Sequence, residues 1–135
     1  MNKLQLLKGN LYKKYQTDAG WDVESTIDIV LKPFVPVKIP TGLILAIPKG
    51  CKGAICPRSS TSSKGLLVFD GTVDPDYRGE VHINIINLTN KDYFINKGDR
   101  IAQLAIYLCL VEDYIKVDSL PDTDRGTNGF GSTGK

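Results

Sequence analysis

Short runs rich in Val, Ile and Leu, separated by Gly and Pro, recur along most of this chain and restrict its fold more than any other feature. Several runs alternate: Val81, Ile83 and Ile85 alternate with His82 and Asn84, which is the two-residue period of a strand with one buried face. No stretch of about twelve residues has the 3.6-residue period of an amphipathic helix. The pattern therefore predicts an all-β sandwich, jelly roll or barrel in which any helix is short.

Turn residues set the predicted strand boundaries. Pro40 is expected to end one strand before the next begins, and the run 25–31 is expected to form one continuous strand. We expect residues 1–120 to form the β domain, and the glycine-rich residues 121–135 to form a flexible C-terminal arm. The predicted strands are 3–7, 25–31, 34–39, 42–47, 52–56, 65–69, 80–87, 93–96 and 101–111.

Length and composition exclude several classes of protein. A chain of 135 residues is expected to form one domain, too small for an enzyme with a cleft between two lobes. A net charge of +2 disfavours binding of polyanions through bulk charge, so no direct nucleic-acid binding is expected. The single histidine, His82, excludes a multi-histidine metal site. The odd number of cysteines argues against a scaffold held together by disulfides. We therefore expect all three to be reduced and to act as small buried apolar side chains in a protein of a reducing compartment: Cys51, Cys56 and Cys109.

No segment has the features of export or membrane insertion. The longest apolar run, 101–111, is interrupted by Gln103 and is about half as long as a membrane-spanning helix. Residues 1–8 lack the long apolar stretch of a signal peptide. We therefore expect a cytoplasmic protein, or one in the host-cell cytoplasm or nucleus if it is viral, without a membrane partner.

Arginine is used sparingly and in similar places. Of 17 basic residues, four are arginines, and each lies in a segment that contains Gly or Ser: Arg58, Arg78, Arg100 and Arg125. The guanidinium group presents a planar fork of donors that matches a carboxylate or a phosphate. This placement therefore indicates oxyanion recognition or buried ion pairs.

The segment 57–65 joins Arg58 to the hydroxyl residues Ser59, Ser60 and Thr61 in a predicted turn. Hydroxyl and backbone N–H groups in a turn can form a cup for phosphate oxygens. A polar surface loop has the same composition, so the segment alone leaves both interpretations open.

The segment 71–80 places Asp74 at the end of a strand-like run, where a carboxylate can be held rigidly and partly desolvated, as a general base requires. Tyr77 offers a flat apolar face to a sugar or base. The alternative is a hairpin in which Asp74 or Asp76 caps a turn.

The C-terminal arm carries Arg125, Phe130, Ser132 and Thr133 on a glycine frame. Glycine-rich backbone can wrap a phosphate closely, and a lone Phe can stack on a planar ring. We interpret the arm as a lid that becomes ordered on a ligand.

In this order, these segments resemble the five motifs of the homotrimeric deoxyuridine triphosphate nucleotidohydrolases, the dUTPases. Each motif alone is weak, but five in order at fitting spacing over residues 19–134 are highly specific. The matching stretches are AGWDV at 19–23, PRSS through KG at 57–65, GTVDPDYRGE at 71–80, KGDRIAQL at 97–104, and RG with GFGSTG at 125–134.

The resemblance implies a distorted jelly-roll-like β-barrel or sandwich, the β-clip fold, and a homotrimer whose active sites are shared between subunits. It also implies hydrolysis of dUTP to dUMP and pyrophosphate by attack of water on the α-phosphorus, with Mg²⁺ as cofactor on the triphosphate. Such a reaction keeps uracil out of DNA and supplies dUMP for dTMP synthesis.

The resemblance further implies individual roles. Asp74 would activate the water, Tyr77 would pack beneath the deoxyribose, and Phe130 would close over uracil. Asp22 would meet the metal through its water shell. The other implied substrate contacts are Gly71, Thr72, Val73 and the strand near His82 for uracil, Arg58, Ser59, Ser60, Gln103, Arg125, Ser132 and Thr133 for the phosphates, and Gly131 beside them in the arm.

Some residues depart from the family pattern. Trp21 stands where Tyr, Phe or Leu is usual, Thr72 stands where an aliphatic residue is usual, and the stretch from Lys64 to Asp74 is about one residue short. We expect altered affinity rather than a different reaction. Two alternatives remain: a relative of dCTP deaminase, for which Glu80 would have to supply the glutamate, and a nucleotide-binding regulatory protein on the same scaffold.

Overall fold

The computed structural model describes residues 3–110 and 112–131, and it confirms a nearly all-β fold. In these residues there is one short helix, and no helix is long and apolar enough to cross a membrane. In chain order the elements are β1 (Gln5–Lys8), β2 (Gly20–Glu24), β3 (Ile29–Leu31), β4 (Val37–Ala46), β5 (Cys51–Pro57), α1 (Ser59–Ser62), β6 (Leu66–Val68), β7 (Gly71–Val73), β8 (Val81–Asn87), β9 (Tyr93–Ile95) and β10 (Arg100–Leu108).

The strands form two four-stranded antiparallel sheets and a two-stranded ribbon. The β4 sheet has the order β1-β4-β8-β6, the β10 sheet has the order β2-β10-β5-β7, and β3 pairs with β9. One hydrophobic core draws on both sheets, as in a jelly-roll-like sandwich. No pairing among the described strands closes a barrel.

Alternation along the strands builds this core. In β8, Val81, Ile83 and Ile85 are buried, whereas the residues between them are partly or fully exposed, as the sequence pattern predicts. Burial of each such aliphatic side chain contributes roughly 1.5–3 kcal/mol. The fully or almost fully buried members of the core include Val23, Leu31, Ile39, Leu43, Ile55, Ile83, Ile85, Ile95 and Leu104.

Pro40 does not end a strand, so this prediction was wrong. β4 continues through it to Ala46, and its register against β8 shifts between Pro40 and Leu43. Because proline lacks an N–H, a β-bulge accommodates it within the ladder. Gly42 adopts a φ of +71° in the bulge, and the Thr41 hydroxyl donates a hydrogen bond to the Val81 carbonyl.

The prediction of one continuous strand over 25–31 was also wrong, because only Ile29–Leu31 form a strand in this region. Ser25 leaves the ladder: its N–H donates to the Asp99 carbonyl at 2.9 Å and its hydroxyl donates to the Ile27 carbonyl at 2.7 Å. Such side chain–backbone bonds compete with strand pairing. The strand β2, just before it, was missed by the sequence analysis.

The cysteine expectation holds in part. All three cysteines are free, but Cys51 is buried, whereas Cys56 and Cys109 are half-buried. Cys56 is followed by Pro57 at the end of β5, and Cys109 follows the end of β10, so the core covers neither completely.

The buried Asn87 side chain ties the end of β8 to β3 and to the following turn. Its Nδ2 donates to the carbonyls of Leu31 at 2.9 Å and Lys91 at 2.7 Å. Its Oδ1 accepts from the N–H of Thr89 at 2.9 Å and from the Thr89 hydroxyl at 2.7 Å. All four hydrogen-bonding positions of the amide are therefore used.

Replacing Asn87 by Ala is expected to lower the free energy of unfolding by about 2 kcal/mol or more, because it leaves buried polar groups without partners. Urea unfolding of the purified protein measures this change. The matched control is Asn84→Ala on the exposed face of the same strand, which is expected to change stability by less than about 0.5 kcal/mol. Equal losses in the two variants would contradict this role of Asn87.

Candidate active site

The turn that carries Asp74 lies where the chain crosses between the two sheets. β6 pairs with β8 in the β4 sheet, whereas β7, which follows it, pairs with β5 in the β10 sheet. The chain then returns to the β4 sheet in β8. Residues 74–80 therefore connect an edge strand of one sheet to a central strand of the other.

A cavity of about 260 Å³ opens at this crossing, and we call it the hairpin cavity. It brings together six residues that the sequence analysis selected: Gly71, Thr72, Val73, Asp74, Tyr77 and His82. Ile55, Glu80, Val81, Lys38 and Asn84 also line it, and the last two face each other across the β4–β8 pairing. No sequence signal pointed to Lys38 or Asn84, because only the pairing of distant strands brings them to the cavity.

Tyr77 is fixed by short-range contacts of the turn. Its N–H donates to the Asp74 carbonyl at 3.1 Å, and its hydroxyl donates to the Glu80 carbonyl at 2.9 Å. The ring passes over Gly79, where a Cβ atom would lie 2.7 Å from Tyr77 Cζ, so this position requires glycine. Asp74 is exposed in the single chain, so the partial desolvation expected for it is not found there.

Glu80 and His82 form one wall of the hairpin cavity. The Nδ1 atom of His82 lies 3.0 Å from the Glu80 carbonyl oxygen, and its Nε2 lies 3.5 Å from Glu80 Oε2. The other carboxylate oxygen of Glu80 accepts the N–H of Gly42 at 2.8 Å. The β4 bulge thus fixes the carboxylate of Glu80 through the Gly42 N–H, and Glu80 in turn contacts both ring nitrogens of His82.

Asp22 lies in β2, the edge strand of the β10 sheet, between two arginines. Its Oδ1 is 3.0 Å from Arg58 Nε, and its Oδ2 is 3.7 Å from Arg100 Nη1. Arg58 Nη1 also donates to the carbonyl of Arg100. Both arginines line a second cavity of about 170 Å³, the arginine cavity, together with Ser60, Lys64 and others. Two of the four arginines, Arg58 and Arg100, thus form ion pairs with Asp22, but these pairs are partly exposed rather than buried as expected.

The segment 57–65 contains the short helix α1, which follows Pro57 and Arg58 and is followed by a turn over residues 63–65. In α1, Ser59 and Ser60 are exposed, whereas Thr61 is buried and donates its hydroxyl to the Ile101 carbonyl at 3.1 Å. Gln103 donates from Nε2 to the Pro57 carbonyl at 2.9 Å. Among the described cavities, neither Ser59 nor Gln103 is part of the lining.

None of the described arm residues, 121–131, lines the hairpin cavity or the arginine cavity of its own chain. β10 ends at Leu108, and the described residues 112–131 are exposed except for Gly129, which is half-buried. Phe130 is fully exposed and Gly131 is exposed, and Arg125 donates from Nε to the Asn128 carbonyl at 2.6 Å. Ser132 and Thr133 lie outside the described residues.

In one chain, the selected residues that the structure describes therefore fall into three groups: the hairpin cavity, the region around the arginine cavity, and the arm up to residue 131. The two cavities share no lining residue. In the described part of the chain, no group of three or more His, Cys, Asp or Glu residues could hold a metal ion. Asp22 is a single carboxylate, which suits Mg²⁺ that is mainly bound by substrate phosphates and water.

Comparison with known proteins identifies the family. The family model described as dUTPase matches residues 10–134. The chain belongs to the dUTPase family. The deoxyuridine 5'-triphosphate nucleotidohydrolase of Treponema denticola is 44% identical over an alignment of 137 positions, which covers 96% of this chain and 95% of that protein.

Solved structures of phage dUTPases have the same fold. A variant of the Staphylococcus bacteriophage 80alpha dUTPase with dUpNHpp superposes with a TM-score of 0.93 at 30% identity, and all of both chains is covered. A variant of the dUTPase from phage phi11 of S. aureus has a TM-score of 0.81 at 28% identity, covering 87% of this chain and 98% of that one. The latter structure is described as revealing the coordination of a structural Mg(II) ion.

Proposed function

We propose that this protein hydrolyses dUTP to dUMP and pyrophosphate. The observation that carries the proposal is the hairpin cavity, in which the edge strand β7, the carboxylate Asp74 and the aromatic ring of Tyr77 line one space of about 260 Å³. Membership of the dUTPase family and the likeness to a phage dUTPase with dUpNHpp support it.

The free edge of β7 suits a pyrimidine base. β7 is the last strand of the β10 sheet and pairs with β5 along one edge, so the backbone N–H and C=O groups of alternate residues in Gly71–Val73 point to the other, unpaired edge. Uracil presents a donor between two acceptors, which a strand edge can pair with. Tyr77 then packs against the deoxyribose, and its hydroxyl is already held by the Glu80 carbonyl.

Asp74 is the base in this proposal. Its carboxylate takes a proton from water as the oxygen of that water bonds to the α-phosphorus, and the bond from that phosphorus to the bridging oxygen breaks to release pyrophosphate. Arg58, Ser59, Ser60, Gln103 and the arm residues contact the phosphates: the arginines neutralise charge on the leaving group, and the hydroxyl and amide groups donate hydrogen bonds to it. Asp22 would hold Mg²⁺ through water, and the ion, when bound, neutralises phosphate charge and orients the chain of phosphates.

The proposed assembly is a homotrimer with shared sites. A closed threefold oligomer contains three copies of each separate group, so every composite site can combine the hairpin cavity, the arginine cavity and the arm from different subunits. The segment before the arm supports this, because it leaves large apolar side chains exposed: Leu110, Tyr114, Ile115 and Leu120 are each about 80% exposed. We propose that residues 121–135 form the arm that closes each site. We also propose that the protein is cytoplasmic, since its free thiols fit a reducing compartment.

The direct test offers dUTP and dCTP separately, with Mg²⁺, and measures pyrophosphate and ammonia. Pyrophosphate from dUTP, without ammonia from dCTP, is the expected result. Ammonia from dCTP would support the deaminase alternative, in which Glu80 activates water at the base. Binding of dUTP without release of either product would support a regulatory nucleotide-binding protein.

The variant Asp74→Asn keeps the shape of the side chain and removes its basicity. We expect it to bind dUpNHpp with nearly normal affinity and to lose turnover of dUTP by about 100-fold or more. Titration calorimetry and steady-state kinetics measure the two quantities. Asp76→Asn, two residues away in the same turn and also exposed, is the matched control and should keep turnover. Normal turnover in Asp74→Asn would remove this residue from the mechanism.

Sharing of sites predicts complementation between two inactive proteins. A chain truncated before Asp124 lacks the lid, and Asp74→Asn lacks the base, so each homotrimer should have little activity. Mixed trimers obtained by subunit exchange should regain activity, because an intact arm can reach an intact Asp74 of another chain. No recovery in mixed trimers, verified by mass spectrometry, would show that the arm acts within its own chain.

A further inference from the structure

Three residues outside the five motifs, Tyr12, Glu24 and Asn10, form a stack with Arg100, which lines the arginine cavity. The guanidinium of Arg100 lies over the ring of Tyr12, with Cζ 4.0 Å from the ring centre. The Tyr12 hydroxyl donates to Glu24 Oε2 at 3.1 Å, and Asn10 Nδ2 donates to the other oxygen of Glu24 at 3.2 Å. The backbones of Tyr12 and Asp22 exchange two hydrogen bonds, at 3.2 and 2.7 Å.

This stack continues into the site through the ion pairs. Arg100 approaches one oxygen of Asp22, and Arg58 approaches the other. Of the three guanidinium nitrogens of Arg58, Nε is paired with Asp22 and Nη1 with the Arg100 carbonyl, whereas Nη2 has no partner among the described residues. Both hydrogens of Nη2 thus remain for a ligand, and Arg58 lines the arginine cavity.

The aromatic ring restrains a side chain that would otherwise move freely. The Arg100 side chain is 43% exposed, and a long exposed arginine has many rotamers. Stacking on an aromatic face selects one of them. The hydrogen bond from the Tyr12 hydroxyl to Glu24 in turn fixes the ring beside the guanidinium.

We propose that Tyr12 is a positioning residue for the phosphate end of the substrate. The ring holds Arg100 against Asp22, Asp22 thereby keeps Arg58 in one orientation, and the free Nη2 of Arg58 stays available for a phosphate oxygen. Tyr12 touches neither substrate nor reacting atoms in this scheme. The inference rests on the proposed function, because it takes the ligand of the arginine cavity to be a nucleoside triphosphate.

Binding of two probes separates this role from a general structural one. We expect Tyr12→Leu to weaken dUpNHpp binding, measured with Mg²⁺ by calorimetry, by about threefold or more, while binding of deoxyuridine is unchanged. Tyr12→Phe keeps the ring and should bind both probes as the unchanged protein does. In an Arg100→Ala background, Tyr12→Leu should add less than about twofold, because its effect passes through Arg100.

Tyr15→Leu is the matched control, since Tyr15 also lies beside a cation, Lys14, in the same segment but has no contact with Asp22. It should leave both affinities unchanged. The proposal is overturned if Tyr12→Leu binds dUpNHpp within twofold of normal, or if it loses deoxyuridine affinity equally. Should Tyr12→Leu fail to fold, Arg100→Ala removes the same stack, and normal dUpNHpp binding by that variant overturns the proposal. A wild-type protein that binds neither probe would instead refute the proposed function.

Discussion

The register of β10 against its two neighbours is the constraint on which the phosphate end of the site depends. β10 lies between β2 and β5, and Gln103 is opposite Asp22 on one side and Cys56 on the other. Buried Ala102 and Leu104 hold this register, because a slip of one residue would turn them toward solvent. The same slip would move Asp22 away from the arginines that flank it. Core packing and site geometry are therefore fixed by one set of strand pairings.

The hairpin cavity depends on a different feature, the passage of the chain into the β10 sheet and back. β7 contributes three residues to that sheet and leaves one edge unpaired. The start of β8 is then secured by the β4 bulge, where the Gly42 N–H binds Glu80 and the Thr41 hydroxyl binds the Val81 carbonyl. The β-bulge that accommodates Pro40 thus supports the wall of the hairpin cavity at the start of β8.

The distribution of the site residues over separate parts of the fold explains how a small chain can support phosphate chemistry. The chain supplies a strand edge, one carboxylate, two paired arginines and an arm, but its own fold keeps them in three places. A single domain of 135 residues has room for one core and shallow cavities on its surface. In the proposed trimer, the deep site lies between subunits, so the size of one subunit does not limit it.

The sequence by itself determined the strand-rich architecture, the family and most of the residues of the hairpin cavity. The architecture follows from two-residue alternation, as in β8, whereas the family and the cavity residues follow from the resemblance of five motifs. One of these motifs forms a turn in which Tyr77 contacts Gly79 and Glu80 within a few residues. Cavity lining by Lys38 and Asn84, the Asp22–Arg58 pair and the stack of Tyr12 on Arg100 could not be predicted, because residues far apart in the chain form them.

Tertiary structure alone also decided two points on which local rules were misleading. The strand boundary predicted at Pro40 was wrong because pairing with β8 continues through this residue. The continuous strand predicted over 25–31 was wrong because Ser25 instead bonds to the turn at Asp99. The separation of the selected residues into three groups was likewise invisible in the sequence, where the motifs stand only in linear order. The motifs identify the residues that the reaction needs. Strand pairing and packing determine which of these residues one chain brings together.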